Sequence, residues 1–104
     1  MPDTALHPAP TLDDLRAHRA EILALAERYG AYNVRVFGSV ARGDATPDND
    51  VDLLVNLPSH FSLLDLSELV GALRTLLGCP VQIASAAHLR DELRPYILRD
   101  VVSL

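Results

Sequence analysis

The sequence of 104 residues predicts an α/β domain, because short stretches with strand character alternate with longer stretches of helical periodicity. The predicted strands are residues 33–37, 50–57 and 81–84, each of which contains branched apolar side chains. The length suits a single domain. Three prolines among residues 1–10 predict a flexible N-terminal arm, so we expect the folded domain to span residues 11–104.

Two long helices are predicted, each lying between a polar N-terminal cap and a glycine that ends it. The first runs from Thr11 to Tyr29, with apolar residues at helical spacing, and Gly30 follows it. The second covers residues 62–77 and ends before Gly78. The apolar face of each helix is expected to pack in the core.

The C-terminal part of the chain is predicted to form shorter pieces. Residues 86–93 are predicted as a short helix that breaks before Pro95, because proline lacks a backbone N–H and disfavours helix at the residue before it. A further helical turn over residues 95–100 and an apolar tail over residues 101–104 complete the prediction.

Composition narrows the classes of partner and compartment. The net charge is −5, which opposes the cationic contacts that nucleic-acid binding needs, so direct nucleic-acid binding is not expected. The single cysteine, Cys79, excludes an internal disulfide and fits a reducing compartment. Residues 1–10 do not resemble a signal peptide, and no apolar run has membrane-spanning length. A cytoplasmic protein without membrane contact is expected.

The most informative motif is Gly38-Ser39, followed by ten residues and then Asp50-Val51-Asp52. In an extended strand, side chains two positions apart lie on the same face, so Asp50 and Asp52 are expected to point the same way. Two carboxylates held this close repel each other unless a cation lies between them. Mg²⁺ suits the pair, because it prefers oxygen ligands and completes its coordination with water and substrate phosphates.

The Gly-Ser pair supplies what a phosphate needs beside that metal. Gly38 allows the backbone to approach an anion closely, and the hydroxyl of Ser39 can donate a hydrogen bond to it. The chemistry indicated is phosphoryl or nucleotidyl transfer. For Arg42 two interpretations remain open, since its guanidinium could contact a triphosphate or could tie the loop to a neighbouring carboxylate.

These residues together resemble the minimal nucleotidyltransferases, or MNT proteins, of the DNA polymerase β-like superfamily. The family signature of Gly-Ser, ten residues and Asp-x-Asp is met here with its spacing intact, and the similarity continues through residues 81–83. The resemblance implies a polymerase β-like fold, with a small mixed sheet of three or four strands and helices mainly on one face.

The resemblance also implies site residues, a cofactor and a substrate. Asp50 and Asp52 would be the catalytic residues and the ligands of Mg²⁺, while Gly38, Ser39 and Arg42 would bind the nucleotide, which is ATP. Free-standing MNT proteins of this size act as antitoxins paired with HEPN-domain toxins, and some transfer AMP to a tyrosine of the toxin. A HEPN toxin is therefore the expected partner.

One position departs from the family pattern. Gln82 stands where the family has a third carboxylate, and an amide side chain brings no charge and cannot act as a base. The alternative function is therefore an MNT-fold binding module that is impaired in catalysis and neutralises its HEPN partner by contact alone. A transferase acting on small molecules is a weaker alternative, because the chain has no room for a separate substrate domain.

Overall fold

The computed structural model describes residues 9–104, in which helices and strands alternate. Most of the predicted arm, residues 1–8, lies outside the described residues. The helices are α1 (Leu12–Ala17), α2 (Arg19–Arg28), α3 (Gly38–Arg42), α4 (Leu63–Leu77) and α5 (Arg94–Asp100), with a 3-10 turn at Ala86–His88. The strands are β1 (Tyr32–Phe37), β2 (Val51–Asn56), β3 (Val81–Ser85) and β4 (Val102–Ser103).

The four strands form one mixed sheet in the order β3-β2-β1-β4. Strand β1 is antiparallel to both β2 and β4, whereas β2 and β3 run parallel. The parallel pair needs a crossover, which α4 provides. The predicted α/β fold with a small mixed sheet is confirmed, and β4 comes from the predicted apolar tail.

Side chains along β2 alternate between the core face of the sheet and the face that carries Asp52. Val51, Leu53 and Val55 are at most 1% exposed and pack into the hydrophobic core, while Asp52 lies on the opposite face. Helices α1, α2 and α4 contribute buried residues to the same core. Leu54 lies on the same face as Asp52 and is also buried, so only the partly exposed Asp52 end of that face is left for the site. Within residues 9–104, no helix combines the length and the apolar character needed to cross a membrane.

The predicted first helix is divided in two at His18. The amide of His18 donates to the carbonyl oxygens of Leu15 and Arg16, which tightens the turn and interrupts the α-helical ladder. The carbonyl oxygen of His18 then accepts from Ile22 at 2.9 Å, and α2 begins. The predicted capping box at the start of α1, between Thr11 and Asp14, is confirmed.

The segment before α5 also differs from the prediction. Only Ala86–His88 is helical, as a 3-10 turn, because Leu89 has an extended backbone with φ −68° and ψ 134°. Pro95 lies in the first turn of α5, where its missing N–H costs no helical hydrogen bond. The predicted helical turn over residues 95–100 is confirmed as α5, whereas the predicted helix over residues 86–93 is reduced to the 3-10 turn.

Candidate active site

The predicted site residues meet at one end of the sheet. Gly38 follows β1 directly and begins α3, and Asp50 immediately precedes β2. Asp52 lies between Phe37 of β1 and Gln82 of β3 in the strand register. Three adjacent strands therefore bring together a turn, two carboxylates and an amide that are distant in sequence.

The backbone conformation at position 38 and its contact with Asp52 together require a glycine there. Its φ of +76° lies in the left-handed region, which residues other than glycine rarely adopt. A Cβ added there would lie 2.5 Å from Oδ2 of Asp52, closer than real Cβ contacts allow. The turn thus packs against the carboxylate, and any larger residue would displace one of them.

The electrostatics of Asp52 show an excess of negative charge. Burial raises the pKa of the Asp52 carboxyl, the charge of Asp50 raises it further, and the positive charge of Arg42 acts in the opposite direction. A divalent cation would relieve both the desolvation and the repulsion, so the donor set fits Mg²⁺. Within residues 9–104, no group of three or more His, Cys, Asp or Glu side chains gathers to hold a metal.

Gln82 contacts one carboxylate of the pair directly. Its side chain Nε2 donates a hydrogen bond of 2.7 Å to Oδ2 of Asp50. The side chain is exposed, and its strand lies at the edge of the sheet. The amide therefore stands beside both acids, at the position where the sequence analysis expected a third carboxylate.

Arg42 is held by two carboxylates at the end of α3. Its Nε donates to Oδ2 of Asp44 and its Nη1 donates to Oδ2 of Asp100, each at 3.2 Å. This geometry matches the interpretation in which Arg42 ties the loop to neighbouring acids, and its charge also acts on Asp52. Sequence reasoning missed Asp100, because a pair 58 positions apart leaves no local pattern.

A shallow surface pocket of about 550 Å³ lies on the Asp50 side of the site, and Arg74 and Cys79 also line it. Burial raises the pKa of the Cys79 thiol, and the charges of Asp14 and Asp50 add to the effect. The thiol is therefore less reactive than an exposed one at neutral pH.

Comparison with known proteins agrees with this geometry. The family model described as the nucleotidyltransferase domain matches residues 21–103. A protein adenylyltransferase, MntA, from Thermococcus cleftensis is 41% identical over 88 residues, which cover 85% of this chain and 86% of that protein. The motif-based resemblance to nucleotidyltransferases is thereby confirmed.

Two solved structures show the same fold. A minimal nucleotidyltransferase superposes with a TM-score of 0.79 at 48% sequence identity, covering 90% of this chain and 96% of that chain. A chain from the complex of a tri-AMPylated HEPN toxin with an MNT antitoxin, from Shewanella oneidensis, superposes with a TM-score of 0.65 at 16% identity. That alignment covers 85% of this chain and 69% of that chain, and it shows similarity of fold alone. On the extent of the family match and the identity to its relatives, the chain belongs to the nucleotidyltransferase domain family.

Proposed function

We propose that this protein is an Mg²⁺-dependent adenylyltransferase that acts as an antitoxin by transferring AMP from ATP to a tyrosine hydroxyl of a HEPN-domain toxin. The observation that carries the proposal is the convergence of Gly38, Asp50 and Asp52. The turn at Gly38 packs on Asp52, and the negative charges of Asp50 and Asp52 repel each other. The adenylyltransferase activity named for the 41% identical relative supports the same reaction.

Each proposed site residue has a role in that reaction. Asp50 and Asp52 would hold Mg²⁺, which neutralises charge on the triphosphate and on the departing pyrophosphate. Gly38 and Ser39 would contact the phosphates through the close backbone and the hydroxyl. Arg42 would add positive charge beside them, from a position fixed by its two acidic partners.

The transfer itself is an in-line substitution at phosphorus. The acceptor oxygen forms a bond to the α-phosphorus of ATP while the bond from that phosphorus to pyrophosphate breaks. The acceptor hydroxyl loses its proton in this step, and Gln82 cannot receive that proton because an amide has no basic group. The residues of this chain act by placing the reactants and by balancing their charge.

The proposed partner is a HEPN toxin, and the proposed compartment is the cytoplasm. The fold shared with a chain from a HEPN toxin and MNT antitoxin complex supports that partner. The lone Cys79 supports a reducing compartment. With a net charge of −5, the chain is unsuited to direct binding of nucleic acid.

A second candidate function rests on Gln82. Because an exposed amide stands beside Asp50 and Asp52, the site has one anion fewer than the family pattern. Slow or absent transfer would leave a protein that neutralises its toxin by contact alone. In this second candidate function the HEPN partner is the same, but no AMP is transferred.

Mass spectrometry of the toxin separates the two candidates. A HEPN-domain toxin is incubated with the wild type, ATP and Mg²⁺, and its intact mass and its toxicity are then measured. Addition of AMP to a tyrosine by the wild type, and none by Asp52→Asn, is the expected result. Neutralisation without any added mass, equal in both proteins, would support the contact mechanism and contradict the transferase.

A further inference from the structure

One oxygen of Asp50 is already engaged by the protein. Oδ2 accepts the hydrogen bond from Nε2 of Gln82 at 2.7 Å, so only Oδ1 is left without this partner. An amide N–H₂ is a donor and cannot ligate a cation, which means that a metal must approach the pair from the side away from this contact. The hydrogen bond therefore restricts how many ions Asp50 can serve.

The charge balance around the pair points the same way. The protein contributes two negative side chains, Asp50 and Asp52, which would serve a metal together with the phosphate oxygens of the nucleotide. No third acidic, histidine or cysteine side chain joins them within residues 9–104. Two-metal sites place their ions roughly 3.5–4 Å apart and depend on bridging oxygens and additional anions to offset the mutual repulsion.

The strand register shows which position would supply the missing anion. Asp52 and Gln82 are partners in the parallel ladder between β2 and β3, so their side chains project from the same face. A carboxylate at position 82 would therefore stand beside both acids. In this chain that place is taken by a neutral amide.

We propose that the nucleotide complex of this protein holds one divalent cation, between Asp52 and the free oxygen of Asp50, because Gln82 replaces the anion that a second cation requires. In this arrangement Gln82 is a positioning residue, which orients Asp50 through the hydrogen bond. The inference rests on the proposed nucleotidyltransferase function and specifies the metal content of its site.

Counting Mn²⁺ ions in the full chain tests the proposal without measuring activity. The protein is saturated with Mn²⁺ and a non-hydrolysable ATP analogue, and bound manganese is determined per chain after removal of free ions. Electron paramagnetic resonance then reports whether two Mn²⁺ ions are close enough to couple. The wild type should hold one ion per chain and show no coupled pair, whereas Gln82→Asp should hold two ions that are coupled.

Gln82→Met is the matched control, since it removes the amide without adding a charge, and it should still hold one ion. Thermal melting of all three proteins checks their folding, which an exposed side chain at the edge of the sheet should scarcely affect. Two coupled ions in the wild type would overturn this proposal and leave the proposed function standing. One ion in both the wild type and Gln82→Asp would also overturn it. No bound ion in the wild type would overturn both.

Discussion

The two sides of the active site differ in how deeply they are built into the fold. On one side, the turn at Gly38 packs on Asp52, and the residues flanking Asp52, Val51 and Leu53, belong to the core. Val40, which follows the turn, is only 1% exposed. On the other side, Gln82 is an exposed residue on an edge strand. The Gly38 side of the site is therefore coupled to folding, whereas the β3 side is not.

This difference explains where the chain can depart from its family. A change at Gly38 alters backbone conformation and core packing at once, so it affects stability as well as binding. A change at position 82 leaves Val81, the buried anchor of β3, in place. The chemistry of the site can consequently vary at Gln82 with little cost to the fold, and substitutions on the two sides test that contrast.

Gly38→Ala is expected to have the largest effect. The left-handed backbone and the contact with Asp52 should together lower the free energy of unfolding by about 1–3 kcal/mol or more, and nucleotide binding should be lost. Thermal melting and calorimetry with ATP and Mg²⁺ measure the two effects. Gly71→Ala, in the interior of α4 with no atom near its added Cβ, is the control and should stabilise the fold by roughly 0.5–1 kcal/mol. A Gly38→Ala protein that melts and binds like the wild type would contradict the coupling.

Asp52→Asn should abolish the dependence of ATP binding on Mg²⁺, because one of the two anionic ligands is lost. Calorimetry with Mg²⁺ and with EDTA measures this dependence. Asp48→Asn, in the exposed loop before β2, should leave the dependence intact. Equal metal dependence in Asp52→Asn and the wild type would remove Asp52 from the metal site.

The same substitution has a predicted effect on stability without metal. Because the pKa of Asp52 is raised in the folded state, folding favours its protonated form, and that contribution is lost as pH rises above the ordinary value near 3.8. At pH 7 the metal-free wild type should therefore unfold at a lower temperature than Asp52→Asn. The difference should shrink at acidic pH, which melting curves over a pH series would show.

Ser39→Ala should weaken nucleotide binding by roughly 1.5–3 kcal/mol, as expected for a hydrogen bond to a charged group, with little change in melting. Ser62→Ala provides the opposite case, since Ser62 accepts from the amide of Asp65 as the N-cap of α4. Its loss should cost about 0.5–2 kcal/mol of stability and leave nucleotide affinity unchanged. If the two serines exchanged these effects, Ser39 would be a structural residue.

Arg42 should contribute least to stability, because its ion pairs with Asp44 and Asp100 are at the surface. Ion pairs of an exposed arginine contribute little to stability, so Arg42→Ala and Asp100→Asn should both melt close to the wild type. Calorimetry separates the two interpretations of Arg42. A role at the triphosphate predicts weaker ATP binding in Arg42→Ala alone, whereas a role in tying the loop predicts similar losses in both variants.

Local patterns in the sequence were sufficient for β1, β2 and β3 and for the motif, whereas β4 was predicted only as an apolar tail. Alternating apolar residues located β2, and the resemblance to the MNT signature predicted that Gly38 and Asp52 share one site. The break at His18 carried no such signal, since no glycine or proline occurs between residues 16 and 20. The bonds from Gln82 to Asp50 and from Arg42 to Asp100 depend on how distant segments pack, which local patterns do not encode.

Cys79, which lines the same surface pocket as Asp50, is a unique labelling site for a spectroscopic probe. It is the single cysteine of the chain, so a thiol reagent attaches one reporter at one place without any mutation. The raised pKa of this thiol means that labelling proceeds better at mildly alkaline pH. Mn²⁺ bound near Asp50 would enhance the nuclear relaxation of a fluorine probe attached to Cys79. The relaxation rate would therefore report how much of the protein has bound Mn²⁺.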